Sequence, residues 1–102
     1  MNLEDFIRQM EEDSVQWFPN GRDLVTLTLG LCGEAGEVAD LVKKMRRGSI
    51  DLTDATAQLH EELIDVFHYW CLLVSGLGVD VESIYRRKRE INVDRFGTDP
   101  KH

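Results

Sequence analysis

The stretch LVTLTLGLCGEAGEVADLVKKM, residues 24–45, decides the fold. Read as a helix, it repeats an apolar side chain every seven residues, at Leu24, Leu31, Val38 and Met45. On the same face, Leu27 and Leu41 lie fourteen residues apart, and the position midway between them is Glu34. Glu37 shares this face, because residues three apart on a helix are neighbours. A carboxylate within an apolar stripe is unfavourable unless it is paired or binds a metal, so this acidic pair is the first candidate for a functional site.

Length and charge narrow the class of protein. The 102 residues predict one domain over 1–102. The 19 acidic against 12 basic residues give a net charge of −7, which argues against a general binder of nucleic acid or anionic membranes, since either needs a basic surface. The balance favours a protein that attracts cations.

Neither the N-terminal region nor any later segment predicts export or membrane insertion. Residues 1–13 are charged and lack a continuous apolar region. No apolar run approaches the roughly 20 residues of a membrane span. Cys32 and Cys71 lie in apolar helical patterns without metal-ligand spacing, so both are expected to be reduced core thiols. We therefore expect a cytoplasmic protein.

Capping and helix-breaking residues divide the chain into four helices. Asn2 precedes a helix that ends near Trp17, and the second helix, capped by Asp23, ends near residue 47. Asp51 or Thr53 begins a third, over about 54–75, and Asp80 a fourth, over 81 to about 93, before a frayed tail at 98–102. No strand alternation is present. The prediction is an all-α bundle of three long helices and a shorter one.

The third helix is apolar almost all round between residues 64 and 74. A helix of this kind is covered on more than one side. We therefore expect that oligomerisation completes the bundle.

A second acidic pair, Glu62 and Asp65, repeats the spacing of Glu34 and Glu37 on the third helix. In so acidic a chain the spacing alone carries little weight, but antiparallel packing of the second and third helices would bring the two pairs together. Four adjacent carboxylates repel one another, and a divalent cation relieves the repulsion. An all-oxygen ligand set selects Mg²⁺ or Mn²⁺. The alternative interpretation is that these acids are exposed and ion-paired with nearby lysines and arginines.

The fourth helix carries Lys88, Asn92 and Arg95 on one face. Their donors and acceptor suit a phosphate chain and a sugar, and the alternative is an ordinary charged surface. Trp17 is a candidate to stack on a base, or else to pack in the hinge after the first helix.

Taken together, these residues resemble the MazG-type family of all-α nucleoside triphosphate pyrophosphohydrolases. The family pattern is a Glu-x-x-Glu pair followed at a distance by Glu-x-x-Asp. Here GEAGEVAD at 33–40 precedes EELIDV at 61–66, with 24 residues between Glu37 and Glu62. Lys88, Asn92 and Arg95, followed by Phe-Gly, are similar to the closing Lys-x-x-x-Asn-x-x-Arg. The resemblance covers about residues 22–97.

The resemblance implies cleavage of a nucleoside triphosphate between its α and β phosphates, giving the monophosphate and pyrophosphate as a form of nucleotide-pool housekeeping. It implies that Mg²⁺ is held by four catalytic carboxylates, Glu34, Glu37, Glu62 and Asp65. It also implies contacts from Lys88, Asn92 and Arg95 to the phosphates or sugar, and a homodimer or a dimer of dimers.

Two alternatives remain at this stage. One is phosphoribosyl-ATP pyrophosphohydrolase, which shares the helical architecture and the bond that is cleaved. The other is a non-catalytic helical dimer that binds a partner protein through its third helix. The residues select neither the base nor the sugar, nor the glutamate that orients the attacking water.

Overall fold

A computed structural model describes residues 1–97, which form four α-helices and no strand within that range. The helices are α1 (Leu3–Trp17), α2 (Leu24–Arg47), α3 (Leu52–Gly76) and α4 (Val81–Phe96). The all-α prediction is confirmed, and the predicted frayed tail at 98–102 lies outside the described residues.

Side-chain caps fix where the helices begin. Asn2 accepts a hydrogen bond from the backbone N–H of Asp5, whose carboxylate accepts one from the N–H of Asn2. Asp23 and Asp80 cap α2 and α4 as predicted. Asp51, not Thr53, caps α3, so this helix begins at residue 52 rather than about 54.

The predicted end of α4 is wrong by three residues. The helix continues from 93 to 96, because no residue there disfavours a helix, and it ends where Gly97 takes a φ of 78° and donates to the carbonyl of Val93. With 16 residues, α4 is as long as the 15-residue α1. Residues 1–97 therefore contain two long helices, of 24 and 25 residues, and two shorter ones, rather than the three long helices and one shorter helix predicted.

Helices α2 and α3 form the main packing pair, and α1 packs on α3. The short connection over 48–51 returns the chain alongside α2, with Gly48 in the left-handed conformation that ends this helix. Phe6 of α1 contacts Phe67 of α3 edge to face, with ring centroids 5.7 Å apart. The buried apolar core is small: Leu27, Leu41, Ala55, Cys71 and Leu72.

Some predicted core positions are exposed. Leu24, from the apolar stripe of α2, is 53% exposed, and Leu63 of α3 is 49% exposed, because neither side chain faces the α2–α3 contact closely enough to be covered. The core-thiol prediction holds for Cys71 but is wrong for Cys32, which is exposed on α2. Burial raises the pKa of the Cys71 thiol to about 11.

Helix α4 projects from the bundle. Its axis lies at 103° to that of α3, it packs extensively on none of the other helices, and none of its residues is buried. The radius of gyration is accordingly 16.7 Å, against about 13 Å for a compact chain of this length. Within residues 1–97 no single helix is long and apolar enough to cross a membrane, and α3 and α4 meet that test only together, as a bent pair.

Candidate functional site

The pairing of α2 with α3 brings three predicted site residues together. Glu34, Glu62 and Asp65 each offer one carboxylate oxygen, and these oxygens all lie within 4.8 Å of one another. Glu34 is half-buried and lies on α2 midway between two buried leucines, Leu27 and Leu41, as its position in the heptad pattern predicts.

Glu37, the fourth predicted acid, is exposed one turn further along α2 and interacts with Glu62. A hydrogen bond to Glu37 is the largest cause that raises the pKa of Glu62 to about 7, followed by desolvation and the charge of Glu37. The pKa of Glu34 is also raised, first by burial and then by the charges of Glu37 and Asp65. The four acids therefore form one electrostatically coupled group, called the carboxylate cluster below.

Two oxygens of the carboxylate cluster lack partners. Glu34 Oε2 and Glu62 Oε2 are buried and have no hydrogen-bond partner among residues 1–97. None of the four acids is ion-paired within that range, and Lys44, which lines the same cavity as Glu37 and Glu62, pairs with Asp40 at 2.9 Å. Glu37 and Asp65 are exposed, as the alternative interpretation predicts, but none of the four acids has, within the described residues, the ion pair that it requires. Since buried polar atoms are normally satisfied, that interpretation does not fit Glu34 and Glu62.

The carboxylate cluster is suited to a hard cation. Mg²⁺ binds oxygen at about 2.0–2.1 Å, so oxygens on opposite sides of it lie about 4.2 Å apart. The separations in the cluster, all within 4.8 Å, are compatible with this value, and the two oxygens without partners among residues 1–97 are available as ligands. Asp40 is held by Lys44, whose hydrogen bond and charge lower the pKa of Asp40, and it lies outside this group.

Two cavities flank the carboxylate cluster. The first, called the aromatic cavity, has a volume of about 240 Å³ and is lined by Trp17, Phe18, Glu34, Asp65, His68 and Tyr69. The second, called the polar groove, measures about 460 Å³, and its lining includes Gly33, Gly36, Glu37, Lys44 and Glu62. A larger cavity of about 650 Å³ lies between the first turns of α1 and α4 and is lined by none of the four acids of the cluster. Each of the two flanking cavities is thus bordered by two acids of the cluster.

Two local contacts shape the aromatic cavity. A Cβ atom at Gly30 would lie 2.4–2.8 Å from three ring carbons of Tyr69, so only glycine allows this ring to lie against the backbone of α2. On the other side, the guanidinium of Arg22 donates to Ser14 Oγ at 3.0 Å and pairs with Glu11. This contact ties the segment 18–22, which carries Phe18, back onto α1.

Of the predicted ligand-binding residues, Trp17 lies at the carboxylate cluster and the three residues of α4 do not. Trp17 is 66% exposed at the aromatic cavity, beside Glu34 and Asp65. Lys88, Asn92 and Arg95 are exposed on α4 and line neither flanking cavity. Within one protomer the structure therefore brings together the four acids and Trp17, but not the three polar residues of α4.

Sequence reasoning missed part of the aromatic cavity. Helix periodicity places Tyr69, four residues after Asp65, beside the carboxylate cluster, and it could have placed His68, three residues after Asp65, there as well. Phe18 follows the last residue of α1 in a non-helical segment, where periodicity gives no signal.

Comparison with models of known protein families finds no match to this chain, and comparison with curated proteins finds no significant similarity.

Without metal, the free energy of unfolding is expected to fall as pH rises from 5 to 8. The pKa of Glu62 is about 7 in the folded chain, above the roughly 4.3 of an unfolded chain. The folded state therefore binds more protons in this window, and its stability decreases as they are lost. Melting temperatures measured in chelator at pH 5, 6, 7 and 8 test this.

The matched control for the pH effect is Glu62→Gln, which should flatten the profile because an amide does not titrate. If the carboxylate cluster binds Mg²⁺, added Mg²⁺ should raise the melting temperature most at pH 8, where the carboxylates are ionised. A metal-free profile with the same slope in Glu62→Gln would show that another group causes it.

Proposed function

We propose that this protein hydrolyses a nucleoside or deoxynucleoside triphosphate to the monophosphate and pyrophosphate, in a Mg²⁺-dependent reaction. The carboxylate cluster carries the proposal. Its four acids, from α2 and α3, lie between the aromatic cavity and the polar groove, and two of them have a buried oxygen without a hydrogen-bond partner among residues 1–97. The residues and order of this cluster are those of the MazG-type resemblance. Nucleotide-pool housekeeping in the cytoplasm is the role that we propose.

Glu34, Glu37, Glu62 and Asp65 would hold Mg²⁺, or Mn²⁺ in its place. When bound, the ion neutralises charge on the phosphates and lowers the pKa of a water molecule. One of the glutamates orients the attacking water and accepts its proton. The water oxygen bonds to phosphorus as the bridge between the α and β phosphates breaks, which releases the monophosphate and pyrophosphate.

The two flanking cavities suggest how the substrate lies. Ligand pockets for drug-sized molecules measure about 300–1,000 Å³, so the aromatic cavity, at about 240 Å³, suits a base rather than a whole nucleotide. Trp17, largely exposed there, offers a ring on which the base can stack. The phosphates then extend over the carboxylate cluster towards the polar groove, where Gly33 and Gly36 leave open space.

We further propose a homodimer, or a dimer of dimers, in which α4 of one copy packs on the bundle of another. Residues 1–80 hold 15 acidic and 6 basic residues, a net charge of −9, whereas 81–97 hold 3 acidic and 5 basic, a net charge of +2. Exposed apolar side chains occur on both parts, among them Ile84 and Ile91 on α4 and Val42 and Ile64 on the bundle. Opposite charge and shared apolar surface favour this association.

Such packing would explain why Lys88, Asn92 and Arg95 lie away from the acids of their own chain. They would contact the phosphates bound at the partner copy.

Pyrophosphate release tests the proposed reaction. The screen covers the four standard ribonucleoside and four standard deoxyribonucleoside triphosphates, dUTP and phosphoribosyl-ATP, each with Mg²⁺ and with chelator. Metal-dependent release with an equal amount of monophosphate supports the proposal. Turnover of phosphoribosyl-ATP alone would transfer it to that substrate. No release from any of them, by folded protein with Mg²⁺ or Mn²⁺, would favour the non-catalytic helical dimer.

Mixing two inactive variants is expected to restore activity if α4 acts on the partner copy. Asp65→Asn damages the carboxylate cluster and Arg95→Ala damages α4, so each homodimer lacks complete sites. A mixed dimer contains one site with both defects and one with neither. Unfolding and refolding equal amounts together should therefore recover about a quarter of wild-type sites in a twofold dimer. No recovery, with mixed dimers shown by mass spectrometry, would place α4 on its own chain's site.

A further inference from the structure

The wall of the aromatic cavity contains a polar group that the carboxylate cluster does not use. The ring of His68 lies between two other rings, with centroids 5.9 Å from Phe18 and 6.1 Å from Tyr69. Its Nε2 atom is shielded from solvent and has no hydrogen-bond partner among residues 1–97. Within the described part of the chain, the other buried side-chain atoms without a hydrogen-bond partner are the two oxygens of the carboxylate cluster.

An unpartnered buried nitrogen is unfavourable in the free protein. Leaving such a group unsatisfied is unfavourable, whereas a matching partner, reached when the His68 ring turns towards the cavity that it lines, removes that penalty. The rings around His68 offer stacking surfaces but, apart from the Tyr69 hydroxyl and the indole N–H of Trp17, few polar groups. A ligand that suits this wall is therefore planar and aromatic, with a hydrogen-bonding edge.

We propose that His68 hydrogen-bonds the edge of the nucleobase in the aromatic cavity and sets which base the protein accepts. The inference rests on the proposed function for the identity of the ligand, but base binding itself can be measured without hydrolysis. Neutral imidazole carries one donor and one acceptor nitrogen, so it distinguishes bases by the polar atoms on their edges. A site that hydrogen-bonds its ligand rejects analogues without that group far more strongly than an apolar site does.

The position of His68 relative to the carboxylate cluster is consistent with a base bound at His68 and phosphates bound at the acids. His68 lies one turn beyond Asp65 on α3, and both residues line the aromatic cavity. A base at His68 therefore places its sugar and phosphates on the side of the carboxylate cluster. His60, eight residues earlier on the same helix, is exposed and does not line the aromatic cavity.

Two variants separate the hydrogen bond from the ring. His68→Phe keeps a planar ring and removes both nitrogens, whereas His68→Gln keeps a donor and an acceptor. His60→Phe is the matched control, because it makes the same change outside the cavity. We expect His68→Phe to raise KM for the preferred triphosphate about tenfold, the upper range of one net hydrogen bond, and to reduce discrimination between bases. His68→Gln should retain part of that discrimination, and His60→Phe all of it.

Binding of nucleoside monophosphates provides a readout that is independent of catalysis. The chain has two tryptophans, and only Trp17 lines the aromatic cavity. A stacked base should quench its fluorescence, and Trp17→Phe should abolish that quenching. Quenching that weakens in His68→Phe, with the base preference lost, supports the inference even if no triphosphate is hydrolysed.

Three results would overturn the inference. The first is an unchanged base preference in His68→Phe. The second is pyrophosphate release without any quenching by monophosphates, which would leave the proposed reaction intact and remove the base from this cavity. The third applies if circular dichroism shows that His68→Phe does not fold. A folded His68→Ala variant with the same base preference as wild type would then overturn the inference.

Discussion

Glu37→Gln and Asp65→Asn are each expected to reduce pyrophosphate release by about a thousandfold or more, as losses of essential catalytic groups do. Each amide keeps the size of the acid but removes one of the negative charges that a divalent cation needs. Both residues are exposed, so neither change should disturb the core or the oligomer. Turnover with saturating Mg²⁺ and size-exclusion chromatography measure the two effects.

The same variants should become more stable without metal. Removal of one charge relieves the repulsion that raises the pKa values of Glu34 and Glu62. Asp40→Asn is the matched control, because Asp40 borders the polar groove but pairs with Lys44. We expect it to retain most activity. Near-normal turnover in Glu37→Gln or Asp65→Asn would remove that residue from the site.

Gly30→Ala is expected to destabilise the fold by about 1–3 kcal/mol, the range for overpacking a close contact. The added Cβ would lie 2.4–2.8 Å from the ring of Tyr69, which must then move away from α2. Because this ring also lines the aromatic cavity, the change should weaken substrate binding as well. Urea denaturation and KM measure the two effects.

A glycine-to-alanine substitution elsewhere on α2 should raise the free energy of unfolding rather than lower it. At Gly33 and Gly36 a Cβ meets nothing within 4 Å, so alanine there should stabilise the helix by about 0.5–1 kcal/mol. The unfolding free energy of Gly30→Ala should also recover in a Tyr69→Ala background, where the clash is gone. Equal effects at 30 and 33 would show that helix propensity, not the contact with Tyr69, determines the result.

The structural features that could be predicted from the sequence are those that depend on interactions between residues close together in the chain. Helix starts at Asn2, Asp23 and Asp80 depend on hydrogen bonds within a few residues of each cap. The half-buried position of Glu34 follows from helix periodicity alone. Predicting that Glu34 lies close to Glu62 also requires the rule that a connection as short as 48–51 makes the two helices it joins antiparallel.

The features that it did not predict depend on tertiary geometry. The direction of α4 is set by the turn over 77–80, where Gly78 adopts a φ of 64°, and no periodicity in the helices encodes that angle. Phe18 reaches the aromatic cavity through the path of a loop. The exposure of Leu24, Leu63 and Cys32 depends on how far the α2–α3 contact extends around each helix, which one chain's pattern does not specify.

The isolation of α4 has a consequence for the motions of the chain. A helix of about 12–15 residues is only marginally stable in water without packing, and α4, with 16 residues, has almost none from its own protomer. Its amide hydrogens should therefore exchange with solvent through local opening, at a much lower free energy than those of α2 and α3. The bundle formed by α1, α2 and α3 should therefore resist local unfolding more strongly than α4. Slow hydrogen exchange along α4 would show that another surface covers this helix.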